Sequence, residues 1–128
     1  MKLKTIIGTL MFLLFLTSAM PGDETISKEG KVTVVNTTQI GKDIEGYVGP
    51  TPVKIYIERN KITKVEALRN QEGPKYMAKA RKVLGRYSGV AVTKAQKMQV
   101  DAATGATYSS EALIKNVQRG LDYYKKNR

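Results

Sequence analysis

Val53-Lys54-Ile55-Tyr56-Ile57-Glu58, then Arg59-Asn60-Lys61, then Ile62-Thr63-Lys64-Val65-Glu66-Ala67-Leu68: this run decides the architecture of the chain. Val53, Ile55 and Ile57 fall on one side of an extended backbone, and Lys54, Tyr56 and Glu58 on the other. That is the pattern of a half-buried strand. Arg59-Asn60-Lys61 reads as a hairpin turn, with Asn60 the residue suited to positive φ. Ile62 to Leu68 returns as a second strand. Ile62 and Val65 are three residues apart, so a bulge or register change is expected there.

Working outward, Gly41 to Thr51 is turn-rich, with Gly46, Gly49 and Pro50. Lys31 to Val35 could begin a strand. Residues 20 to 30 read as a polar tether. Downstream, Pro74 suits the first position of a helix. Met77, Ala80, Val83 and Leu84 supply its period, and Gly85 is the expected stop. Val90-Ala91-Val92 is a short candidate strand. In the last helix, Leu113 or Ile114, Val117, Leu121 and Tyr124 mark one face, and Lys125, Lys126 and Arg128 favour the dipole at its end. Tyr123-Tyr124 are expected to pack against the sheet. The order implies an α+β fold, a small antiparallel sheet with helices packed on one face. The expected organisation is a leader at 1–19, a tether and candidate first strand at 20–43, and one domain at 44–128.

Composition narrows the chemistry. The chain of 128 residues has no Cys and no His. This excludes a disulfide framework, a haem-attachment pair, a Cys/His zinc site and a histidine acid–base catalyst. Redox work here needs a borrowed cofactor. Lys2 and Lys4, the apolar run Ile6 to Leu16, and Thr17-Ser18-Ala19 have the order of a cleaved secretory signal. The run is too short for a comfortable span, and an uncleaved anchor is the alternative. No Cys follows it, which excludes lipoprotein processing. The net charge is +11. Without residues 1–19 the chain has 20 basic and 11 acidic residues, a net +9. Export and the scatter of the basic residues argue against nucleic acid. An acidic partner, a phosphate-bearing cofactor or a plain solvated surface each fit that charge.

Asp101-Ala102-Ala103-Thr104-Gly105-Ala106-Thr107, followed by Tyr108-Ser109-Ser110-Glu111, places hydroxyls, a glycine and small residues before the last helix. A helix N-terminus with unpaired amides suits a phosphate. An ordinary Ser/Thr-rich N-cap is the plainer reading. The run resembles the flavinylation motif Asp-x-x-(Ser/Thr)-Gly-Ala-Thr of the FMN-binding domain family, which includes flavin-bearing subunits of the Na+-pumping NADH:quinone oxidoreductase and the Rnf complex. The likeness extends over roughly residues 44 to 125, through Gly46-Tyr47, Val53 to Val65, Glu72-Gly73-Pro74 and Asp101 to Ser110. Gly73 departs from the usual Thr, and Lys75-Tyr76 replace a glycine-rich continuation. The resemblance implies FMN as cofactor, with its phosphate esterified to Thr107 by a separate flavin transferase.

The candidate cofactor-binding residues are Thr107, Thr104, Gly105, Ala106, Tyr108, Ser109, Asp101 and Glu72. Thr104, Thr107, Ser109 and Ser110 offer hydroxyls to a phosphate, and Gly105 and Ala106 permit close backbone approach. Asp101 is either part of a tag read by the transferase or a cap on the loop. Glu72 either approaches the flavin ring edge or serves the next helix's dipole. Tyr108 either lies along the flavin or is an ordinary aromatic. Tyr47 and Tyr76 either stack on the flavin or pack in the core, and core packing is the expectation. No metal site is expected. The functional expectation is an exported, periplasmic, cell-surface or membrane-associated flavoprotein. It would carry electrons between a membrane redox donor and an extracytoplasmic acceptor. The alternatives are a non-covalent FMN-binding or sensor module and a cofactor-free exported structural domain.

Overall fold

The computed structural model describes residues 24–128, and the expected leader lies outside them. Four strands form one antiparallel sheet in chain order: β1 (Ile26–Glu29), β2 (Val32–Asn36), β3 (Val53–Glu58) and β4 (Lys61–Ala67). The β3–β4 hairpin follows the alternation of its sequence. Val53, Ile55 and Ile57 are buried, and the residues between them are half exposed. Arg59 (φ 54°) and Asn60 (φ 61°) are both left-handed, giving the two-residue turn that matches strand twist. The expected bulge is present: Tyr56 pairs with Lys64 but Ile57 with Ile62, so Thr63 is the extra residue. It keeps Ile62 on the buried face.

The sheet begins earlier than expected. Ile26 to Glu29, within the stretch read as a tether, pairs with β2 from Ile26↔Val35 to Glu29↔Val32. Gly30 turns the chain with φ 63°. Ile-Ser-Lys-Glu has one apolar residue and sits at the sheet edge, so no alternation betrays it.

Helix α1 (Pro74–Ala80) opens on its proline as expected, but it does not end at Gly85. From Arg81 it tightens into a 3-10 segment through Tyr87, with Gly85 inside. Extended Ser88 and left-handed Gly89 (φ 79°) end it. Met77, Ala80, Val83, Leu84 and Tyr87 are all buried. Val90 to Val92 is not a strand. Ala91 makes a single bridge to Lys61, and Val92 already begins α2 (Val92–Ala95). The segment still lies along β4, with Ile62 N donating to Val90 O (2.8 Å) and Gly89 N to Ile62 O (2.7 Å). It thereby covers a sheet edge.

Helix α3 (Thr107–Asn127) lays Leu113, Val117, Leu121 and Tyr124 into the core, with Ile114 at its margin. At Gly120 the helix meets the sheet: a Cβ there would stand 2.6 Å from Ile55 Cδ1 and 3.0 Å from Thr37 Cγ2. Buried Asn116 accepts from the Thr37 hydroxyl (2.8 Å) and donates to Ala112 O (3.0 Å) and Thr51 Oγ1 (3.4 Å). Thr37 in turn accepts from Val53 N (2.9 Å). These bonds pin both ends of the long β2–β3 connection to α3, and they satisfy polar groups whose burial alone is costly. Among the described residues no helix is long and apolar enough to cross a membrane.

Candidate functional site

The first turn of α3 is built by the small residues that precede it. Gly105 is left-handed (φ 83°), a conformation that costs glycine little. Ala106 is buried, and its N–H donates to Ala103 O (3.0 Å). Ser110 Oγ accepts from Ala103 N (3.0 Å), folding the loop back on the helix. Thr107 is the first helical residue and is exposed. No side chain caps this helix and no carboxylate lies in its first turn. Its leading amides therefore lack intrahelical acceptors and carry the positive end of the dipole.

Glu72 locks this turn to the rest of the molecule. It is 6% exposed. Oε1 accepts from the Ser109 hydroxyl (2.6 Å) and Tyr47 N (2.7 Å), and Oε2 accepts from Val48 N (2.7 Å) and Gly49 N (3.2 Å). The carboxylate reaches these amides because residue 46 is glycine; a Cβ there would strike it. Asn70 Oδ1 accepts from Glu72 N (3.0 Å) and positions its backbone. Burial acts to raise the pKa of Glu72, but the Ser109 hydroxyl and the three amides together outweigh it. The carboxyl is held below the usual glutamate range, ionised at neutral pH.

The clamp sets Tyr47 beside Tyr108. Their ring centroids are 6.1 Å apart and the planes tilted by 38°. The large hydrophobic residues exposed among the described ones are Tyr47 (77%), Val48 (55%), Tyr76 (53%) and Tyr108 (67%). Tyr47, Tyr76 and Tyr108 line a hollow of about 270 Å³ with Gly105, Ala106, Thr107 and Ser109. An exposed apolar cluster around converging polar groups is the mark of a binding surface.

Several expectations change. Tyr47 and Tyr76 are not core residues; both face the hollow. Ser109 and Ser110 turn their hydroxyls inward, to Glu72 and to Ala103 N, so neither hydroxyl is offered to a phosphate. Glu72 neither serves the dipole of α1, whose first turn has no acid, nor lines the hollow. Asp101 is exposed, and among the described residues its carboxylate makes no hydrogen bond, so it does not cap the loop. Asp101 and Thr104 line a neighbouring hollow with Lys79, Lys82 and Arg86. Lys79 was not singled out from the sequence, where the helix was expected to run on to Gly85 and nothing marked this lysine among the others. Among the described residues no group of His, Cys, Asp and Glu could hold a metal ion.

The sequence model of the FMN-binding domain matches residues 46–122. The chain belongs to the FMN-binding domain family. FMN is its cofactor. No curated protein matches the chain. The matched span runs from Gly46, beside the Glu72 carboxylate, to Asp122 in α3, and so contains every residue of the hollow. Strands β1 and β2 lie before it and complete the sheet of this FMN-binding domain. The residues fit the cofactor. Three tyrosines offer a flat, amphipathic wall to an isoalloxazine ring. The uncapped helix start, the Thr107 hydroxyl and left-handed Gly105 offer a phosphate a polar end without side-chain bulk.

Proposed function

We propose that this FMN-binding domain is an exported electron carrier whose flavin is held by a phosphoester on Thr107. The observation that carries this reading is the position of Thr107. It is the exposed first residue of an uncapped helix, on the rim of a hollow walled by Tyr47, Tyr76 and Tyr108. In the attachment step the Thr107 Oγ1–P bond forms and the hydroxyl proton departs. The P–O bond to the leaving group of an activated flavin phosphate breaks, on a separate flavin transferase. Thr107 needs no base of its own, which agrees with a chain that has no His. Asp101 and Thr104, exposed beside the hollow, belong to the surface the transferase reads. FMN supplies one- and two-electron transfer once bound. The chain supplies the anchor, the aromatic wall and the polar end, and it works between a membrane donor and an extracytoplasmic acceptor.

The decisive experiment is co-expression with a flavin transferase, followed by intact-mass and tryptic-peptide analysis. The expected product carries FMN less one water on the peptide containing Thr107. A label on Thr104 or Ser109 would overturn the assignment. Thr107→Ala should fold normally, lose acid-stable flavin, and retain a reversible preference for FMN over riboflavin. Export predicts a mature N-terminus within a few residues of Met20, read by N-terminal sequencing; a full-length chain in membranes favours the anchor. Host membranes fed a respiratory substrate should bleach the flavin absorbance of the loaded protein. An unchanged spectrum would remove the carrier role.

A further inference from the structure

Two hollows are neighbours here, Gly105 lining one and Thr104 the other. One is the tyrosine-walled site. The other, of about 470 Å³, runs beside Ala102 to Thr104 and is lined by Lys79, Lys82 and Arg86, with Asp101 its one acidic residue. Lys79 comes from the last turn of α1 and stands at the junction. Its Nζ lies 3.2 Å, and its Cδ 3.8 Å, from the point a Cβ on Gly105 would occupy. The missing side chain of Gly105 is thus what admits the lysine.

The place is electrostatically odd. Lys79 is half-buried, and among the described residues the ion pairs are Lys64–Glu66 and Arg119–Asp43, so no carboxylate lies within 4 Å of its ammonium. It sits two residues before the start of α3, where the helix dipole is positive and disfavours a cation. An ammonium and an uncapped helix N-terminus converging on one spot repel each other unless an anion lies between them. Neither Ser109 nor Ser110 offers a hydroxyl to such an anion. That leaves the backbone amides, the Thr104 and Thr107 hydroxyls and Lys79 as its donors, and Lys79 is the one that brings a full charge.

We infer that Lys79 is a phosphate-binding residue of this site, its ammonium pairing with the phosphate of FMN over Gly105. The inference rests on the proposed seat of that phosphate at Thr107. It also gives the surplus positive charge one definite local task. Lys82 and Arg86 line the same hollow without standing over Gly105, so they add general potential rather than a direct contact.

The test uses Thr107→Ala protein, in which binding is reversible, titrated with FMN and with riboflavin by flavin fluorescence. Lys79→Met keeps most of the aliphatic stem and removes the charge. In the Thr107→Ala background it should weaken FMN roughly tenfold, as expected for loss of one charge-assisted hydrogen bond, and leave riboflavin unchanged. Lys79→Arg should keep most of the FMN affinity, and Lys82→Met should weaken FMN less than Lys79→Met does. Raising salt should weaken FMN for the parent more than for Lys79→Met. Unchanged FMN affinity in Lys79→Met overturns the inference. So does an equal loss for riboflavin, which would make the lysine a packing residue. An effect of Lys82→Met as large as that of Lys79→Met also overturns it, because the charge would then act only in general. A Thr107→Ala parent that binds FMN and riboflavin equally removes the phosphate cradle and the inference with it. The mass label on Thr107 of the wild-type chain scores the attachment separately. A labelled wild type with an unaltered Lys79→Met titration would sink Lys79 while leaving the proposed function standing.

Discussion

The two ends of α3 use the same residue type for opposite purposes. At the C-terminal end Tyr124 is 6% exposed, and its hydroxyl donates to Asn60 Oδ1 (2.6 Å) in the hairpin turn. Tyr87 is fully buried in the same core, and burial pushes its phenol above the usual range. At the N-terminal end Tyr108, Tyr47 and Tyr76 are all more than half exposed. A tyrosine in the core contributes buried apolar area. A cluster of tyrosines left in water contributes little to folding and risks association. The difference shows how the fold divides its labour. The hairpin end holds the molecule together, and the end with the helix start is kept open for a flat ligand. Glu72 is what lets the open end keep a fixed shape without a core beneath its rings.

Breaking the closed end should give the largest effect. Leu121→Ala removes a fully buried side chain facing the sheet and should cost about 2–5 kcal/mol in urea unfolding. The preference for FMN over riboflavin should survive in the folded fraction, because Leu121 does not line the hollow. A lost preference would mean that the two ends are not separable. Glu72→Ala comes next. It strands three amides and the Ser109 hydroxyl, and should cost about 1–3 kcal/mol. Unlike Leu121→Ala, it should also weaken flavin binding by releasing Tyr47 from Tyr108.

The same carboxylate gives a pH signature. Its folded pKa is depressed, so its contribution is complete above the ordinary glutamate range and is lost as pH falls through the lower folded value. Wild type should therefore exceed Glu72→Gln in stability at neutral pH, and the gap should narrow in acid. A gap constant from pH 7 to pH 3 would contradict the clamp. Gly105→Val is expected to be milder for stability, about 1–2 kcal/mol for a branched residue held left-handed. Its Cβ would press on Lys79, so flavin loading should fall more than stability does. The smallest effect on folding belongs to Tyr47→Ala, within about 0.5 kcal/mol by thermal unfolding, because the ring is largely in water. A loss of reversible FMN affinity without a matching loss of stability is the sharpest statement of the contrast between the two ends.

Legibility in the sequence followed the same division. Where burial sets a period, the residues announce it: Val53 to Ile57, the bulge at Thr63, and Leu113, Val117, Leu121 and Tyr124 were readable from spacing. Gly85 misled because a glycine ends an α-helix readily but sits comfortably inside a tighter 3-10 turn. Strand β1 was hidden because an edge strand with one apolar residue carries no alternation. At the site, the helix start at Thr107 was legible from local composition. The exposure of Tyr47 and Tyr76 was not, since tyrosine suits both core and surface. The role of Glu72 depends on amides 23 to 25 residues away and a hydroxyl 37 residues away, and the approach of Lys79 to Gly105 is likewise made through space. No local pattern encodes such meetings.

The Glu72 clamp also fixes when the site can exist. Its four donors come from the loop at Tyr47 to Gly49 and from Ser109, on the last helix, while Asn116 on that helix ties down Thr37 and Thr51. A chain emerging from its N-terminus can form the hairpin early, but the tyrosine wall has no shape until residues 107 to 116 arrive and dock. The Thr107 hydroxyl and the surface around it are therefore assembled in one late event, after the last helix has been made. A modifying enzyme that requires this assembled surface would pass over chains in which the last helix has not docked, so that flavin loading would itself report the folded domain.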